Sequence, residues 1–221
     1  MKMMRKLGLA ATAILIAGCS GGPASTTVPF LDARATKVVP PIPDRHPYGD
    51  VTRVQVGQWA RYREGDRVFT IAAVAKEGED VWIEVVEEGD ERQVSASRVS
   101  PDGTVTRAFY REIGKDGPSK VVPQPLEQAP PRPRVPEGFR ETGEEKVKVG
   151  DRELTAKLVR IRFETLEGRL IEEVTLWHPD VPPVYAGSPD GGLVLRRTGS
   201  SEIQLQAFGT DAKPLIAIPE K

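Results

Sequence analysis

Residues 67–88 read "RVFTIAAVAKEGEDVWIEVVEE". Two apolar runs, rich in β-branched and aromatic residues, flank the turn signal "KEGED". Each run is too short for a helix and of the right composition for a strand. Widening the window to residues 51–94 adds two more turn signals, "REGD" and "EEGDE", at similar spacing. Regular punctuation of this kind predicts consecutive antiparallel hairpins. "SPDGT" at 100–104 is a further turn, with Pro presetting φ and Gly accepting a positive one. It leads into "VTRAFYREI". The nearest approach to an amphipathic helix, "RAFYREIGK", overlaps this run, and Thr104 and Thr106 pull it toward strand.

Residues 114–143 contain seven prolines and read as a linker or crossing segment, because Pro cannot donate to a ladder. A second β region follows, in which "VGDR", "LEGR" and "TGSS" punctuate "EKVKVGDRELTAKLVRIRFETLEGRLIEEVTLWHPD" and "GLVLRRTGSSEIQLQAFG". In "LTAKLVRIRFE" the charges Lys157, Arg160 and Arg162 interrupt Leu154, Leu158, Val159, Ile161 and Phe163. The expected body is therefore an all-β domain over 51–213. Antiparallel hairpins would form a strongly curved sheet, half-barrel or sandwich of about ten strands, with little helix. Lobes 51–113 and 144–210 would be joined by the Pro-rich 114–143, and 214–221 would be a C-terminal tail. "VQVGQW" at 54–59 and "VKVGDR" at 147–152 raise the idea of related halves, although any strand-to-turn transition yields Val-x-Val-Gly.

Hydrophobic residues make up 38% and charged residues 29% of the 221, which suits a soluble globular body. The net charge of −1 includes an N-terminal basic cluster of Lys2, Arg5 and Lys6, so the remainder is mildly acidic. Such a body has no basic patch for phosphates, and no nucleic-acid partner is expected.

All three Met and the sole Cys, Cys19, lie within the first 19 positions, so the body has no thiol for a disulfide or a metal. "MKMMRK" is a basic segment, and "LGLAATAILIA" at 7–17 is an apolar run too short to span a bilayer as a helix. Both suit a secretory signal. The run ends in Leu15, Ile16, Ala17, Gly18 and Cys19, which resembles the lipobox of bacterial lipoproteins. That resemblance implies that 1–18 is a signal peptide cleaved between Gly18 and Cys19. Leu15, Ile16, Ala17 and Gly18 would be the recognition residues. Cys19 would carry a diacylglyceryl thioether and an N-acyl chain such as palmitate, attaching the protein to the lipid bilayer of the cell envelope. Several chains hold firmly where one binds only marginally. Ser20, directly after the Cys, resembles the release type of proteobacterial lipoproteins and implies the outer membrane, facing the periplasm. In a source without one, the address is the outer face of the cytoplasmic membrane.

Residues 19–50 then form a Pro/Gly/Ser-rich tether, extended around "VVPPIP". Within it His46 lies near Asp44 and Asp50, but Pro and Gly break any ligand spacing, and solvated linker is the better reading. Chemistry in the body is sparse. His178, with Asp180 and Ser188, allows a Ser-His-Asp arrangement to be written, but no Gly-x-Ser-x-Gly is present, and the turn "SPDG" accounts for Ser188. No phosphate loop, metal motif or cofactor motif appears, so no cofactor and no metal is expected. Trp59, Trp82 and Trp177 lie near strand ends, where they either line a ligand groove or, preferably, cap a thin aliphatic core.

The stretch Trp177, Val181, Pro182, Gly192, Leu193, Val194 looks like the C-terminal half of periplasmic lipoproteins with a curved antiparallel sheet, including lipoprotein-carrier-like half-barrels. The resemblance implies a strand, a crossing loop and a strand re-entering the sheet. The inserted "PVYAGSPDG" and the lack of a helix for the concave face depart from that pattern and favour a sheet closed on itself, as sandwich or barrel. Three functions follow as expectations. The first is a non-enzymatic interaction module anchored by Cys19, working through a β edge or groove on an envelope protein partner. The second is a half-barrel carrying or sensing a lipid or other apolar ligand. It calls for strands apolar on both faces, which "FTIAAVA" and "VWIEVV" suggest and "LTAKLVRIRFE" does not. The third is a hydrolase around His178.

Overall fold

The computed structural model describes residues 42–43, 51–129, 139–164, 170–185 and 190–217. The signal peptide, Cys19, Ser20, Asp44, His46, Asp50 and Ser188 lie outside the described residues. Within them the chain is all-β, as the hairpin punctuation predicts. Ten long strands carry the fold: β2 (Trp59–Glu64), β3 (Arg67–Glu77), β4 (Asp80–Glu88), β5 (Arg92–Val99), β6 (Val105–Gly114), β10 (Phe139–Val149), β11 (Arg152–Glu164), β12 (Leu170–His178), β13 (Gly192–Thr198) and β14 (Ser201–Gly209). Four two-residue strands complete the set: β1 (Ile42–Pro43), β7 (Gly117–Pro118), β8 (Val122–Pro123) and β9 (Leu126–Glu127). "RAFYREIGK" is strand almost throughout, inside β6. Its Thr-flanked start pairs with β5 from Val105.

Twelve of the strands form one antiparallel sheet in the order β10-β11-β12-β13-β14-β2-β3-β4-β5-β6-β7, with β8 also on β6, and β1 and β9 form a separate parallel pair. The two expected lobes are fused. The last strand in the chain pairs with the first long one, Ile203 opposite Glu64 through Gly209 opposite Trp59. The tight hairpins are set by residues that accept a left-handed backbone, as at Gly65 (φ 57°) and Gly150 (φ 56°). "VKVGDR" is such a hairpin, whereas "VQVG" is a turn leading into β2, so the two stretches do different work.

Of the expected forms, the closed barrel does not occur: the ladder ends at β10 on one side and at β7 and β8 on the other. The reason lies in how the ends are protected. Beside β6 the strands are two residues long and each contains a proline, Pro118 or Pro123, which has no N–H to offer a neighbour. At β10 protection comes from charge, with Arg140, Glu141, Glu144, Glu145, Lys146 and Lys148 along the strand. Curvature is nevertheless strong. The guanidinium of Arg152, at the β10–β11 turn, lies 5.2 Å from the ring centroid of Phe208 in β14, three strands beyond β11.

One apolar core spans both halves. It joins Tyr62, Phe69, Ile71, Ala73, Val81 and Ile83 to Leu154, Leu158, Leu176, Leu193 and Leu205. A second cluster of Ala72, Val74, Trp82, Val94, Ala96 and Phe109 lies on the opposite face of β3–β6, because alternate residues point to opposite sides. Burial on two faces is what made "FTIAAVA" and "VWIEVV" nearly continuous apolar runs.

Candidate functional site

Both apolar faces of β3 and β4 are covered by the chain itself. On the core side, the loop after β12 folds in and buries Val181, Val184 and Tyr185. The Tyr185 ring packs 4.9 Å from Tyr62 and 5.8 Å from Phe69. Tyr62 also donates its hydroxyl to the carbonyl of Leu193 at 3.1 Å. The "PVYAGSPDG" insertion thus supplies Val184 and Tyr185 as filling for the inner face. Gly191 and Gly192 allow the return. A Cβ at Gly192 would lie 2.4 Å from the Pro182 carbonyl oxygen, and Gly191 has φ 115°.

On the other face the C-terminal segment 210–217 crosses the strands. Ala212 N–H bonds the Gly57 carbonyl, and Trp59 Nε1 donates to Asp211 at 2.7 Å. Ile216 is fully buried among the second cluster. Glu84, with only 1% of its surface exposed, accepts three bonds from Leu215 N and Ile216 N at 2.8–3.0 Å. Burial pushes its carboxyl above the ordinary value, opposed by those backbone donors. Arg111 Nη1 adds a bond to the Leu215 carbonyl. Leu215 and Ile216, expected in a tail, are therefore part of the packed body. The signal in sequence was a single Glu inside the apolar "VWIEVV" together with the short apolar "PLIAI", 131 residues apart.

The one long unpaired boundary among the described strands is β10. Val149 anchors its end in the core, while residues 140–146 are exposed. Neighbouring strands neutralise part of its charge: Arg160 with Glu141 at 2.9 Å and Lys146 with Glu153 at 3.0 Å. Further in, Arg162 holds Glu172 at 2.8 Å, and that hydrogen bond keeps the Glu172 carboxyl below its usual value. Arg140, Glu144 and Glu145 form no ion pair with another described residue. Beside the edge, a groove of about 620 Å³ is lined by Thr142, Gly143, Glu144, Lys157, Trp177 and Asp190, with Lys157 paired to Asp190 at 2.8 Å.

The three tryptophans do not gather into one ring. Trp82 is buried and stacks on Phe109, Trp59 is held by Asp211, and Trp177 leans on the other core. His178 Nδ1 accepts the Asp180 backbone N–H at 3.2 Å, and the Asp180 side chain is 4.0 Å away and 75% exposed. That nitrogen is occupied in holding its own turn. Among the described residues no group of three His, Cys, Asp or Glu side chains is placed to hold a metal. The end of the expected tether also touches the body: Ile42 N donates to the Pro125 carbonyl, and β1 runs parallel to β9.

Compared with known proteins, the chain matches no family model, and neither a curated protein nor a solved structure shows significant similarity to it.

Proposed function

We propose that this chain is a lipid-anchored lipoprotein of the cell envelope, held through acylated Cys19, and that its β body is a non-enzymatic interaction module. The partner adds to the free edge of β10. The observation that carries the reading is the contrast between the two ends of the sheet. One is closed by two-residue, Pro-containing strands, and the other is an eleven-residue strand without a proline, paired with β11 on one side, whose alternate residues turn their backbone N–H and C=O groups away from the sheet. Main-chain bonds along such an edge supply affinity, and flanking side chains supply selectivity. The filling of the inner face by Val181, Val184 and Tyr185 supports this reading over carriage of an apolar ligand. The lipobox residues Leu15 to Cys19 support the anchor, and Ser20 the outer membrane facing the periplasm.

The test is co-purification from envelope membranes with Glu144→Pro, which removes one N–H from the exposed strand. Mass spectrometry should show Cys19 acylated in wild type and variant alike. Partners retained by a tagged wild type, whether other envelope proteins or an untagged second copy of this chain, should be lost from the variant. An unchanged set, or an intact peptide across residues 14–25, would overturn the proposal.

A further inference from the structure

The charges of β10 specify a partner of one kind. Two identical strands pairing antiparallel must oppose residues of the same hydrogen-bonding phase, so the two-fold axis passes through a residue. Each such axis can be checked on the sequence "FRETGEEKVKV". Axes at Arg140, Glu141, Glu144, Glu145, Lys146 or Lys148 set a charge against itself. An axis at Gly143 opposes Arg140 to Lys146 and Glu141 to Glu145, and one at Val147 opposes Lys146 to Lys148. An axis at Phe139 or at Val149 leaves a single opposed pair within the strand. The axis at Thr142 alone gives an extended register free of like charges. It places Arg140 against Glu144 twice, Thr142 against Thr142 and Glu141 against Gly143. Opposite charges and Thr–Thr pairs are favourable across strands, and like charges directly opposite are not. Arg140 and Glu144 are also charges for which the fold provides no ion pair with a described residue.

We infer that the partner of the β10 edge is a second copy of this chain, paired antiparallel about Thr142 with reciprocal Arg140–Glu144 contacts. The inference rests on the edge reading proposed above. A contact of this length is small, so it forms where anchoring raises the local concentration: two copies held in one membrane meet far more often than two copies in solution.

The experiment uses the full-length anchored chain in its membrane, with Thr142→Cys as a reporter under mild oxidation. At the axis the two Cα atoms lie within disulfide range, whereas positions 148 of the two copies would be roughly 40 Å apart. Thr142→Cys should give a disulfide dimer and Lys148→Cys should not, with the wild type as control for Cys19. Adding Arg140→Glu should cut the dimer yield about tenfold, and adding Glu144→Arg to that variant should restore it. Equal cross-linking at 142 and 148, no dimer at 142, or no rescue by the double reversal would overturn the inference. A chain that stays monomeric in the membrane yet loses a different envelope protein on Glu144→Pro would refute the second-copy assignment and leave the edge proposal standing.

Discussion

Strands β3 and β4 bury side chains on both faces, whereas β10 buries Val149 and leaves 140–146 in solvent. The same ladder runs through both regions, so the difference arises from what covers each. Over β3–β5 the chain supplies its own cover, the Val181–Tyr185 loop on one side and the 210–217 segment on the other. At β10 the described residues supply neither a cover nor a second neighbour strand, and the strand itself carries charges. A protein that spends two segments sealing one half of its sheet and leaves a long edge open in the other has divided stability from contact.

The comparison can be broken most severely at the loop. Gly192→Ala should cost about 3 kcal/mol or more, because its Cβ would meet backbone oxygens of Pro182 and Val181 at 2.4 and 2.6 Å. Chemical denaturation of the variant checks this, and a near-neutral result would mean the loop does not seal the inner face. Next in size is Ile216→Ala. Removing a fully buried side chain should cost about 2–4 kcal/mol and increase dye binding at the Trp82–Phe109 face. Little change in either readout would show that the C-terminal segment is not a true cover.

A smaller effect belongs to Glu84. Glu84→Gln keeps an acceptor for Leu215 and Ile216 and removes a charge that burial disfavours, so the change should stay within about 1 kcal/mol. Its folded carboxyl is raised above the unfolded value. The folded state therefore takes up the proton more readily, and this contribution is full below the unfolded value and lost as pH rises through the folded one. Thermal melts should show wild type losing stability relative to Glu84→Gln on going from acid toward neutral pH. The opposite slope would contradict the burial assigned to Glu84. The smallest effect is expected at Lys146→Ala. Its pair with Glu153 is largely exposed, so the change should stay within about 0.5 kcal/mol. A loss as large as that of Ile216→Ala would erase the distinction between the two regions.

What the sequence reveals follows the same division. Hairpins were legible because their signals are local: "REGD", "KEGED" and "VGDR" each place turn residues between apolar runs. The fusion of the two lobes was not, since the β14–β2 pairing joins Ile203 to Glu64 across 139 positions with no motif at either end. The burial of Ile216 and the backbone contacts of Leu215 with Glu84 were hidden for a like reason. "PLIAI" is too short to show a period, and its acceptor Glu84 reads as one more surface acid. Closure of the sheet was expected from the general cost of open edges. The chain meets that cost with Pro118 and Pro123 at one end and with charges at the other, which periodicity does not distinguish. The edge itself was foreseen only as a mode of binding, because which strand stands last depends on the order of pairing.

Hydrogen exchange at β10, read in the anchored chain and in a Cys19→Ser form released from the membrane, tests the central claim most directly. With β3–β5 slow in both, β10 amides should exchange markedly more slowly in the anchored chain, where a partner covers the edge. Equal exchange at β10 in the two forms, with protection gained on some other surface, would contradict it.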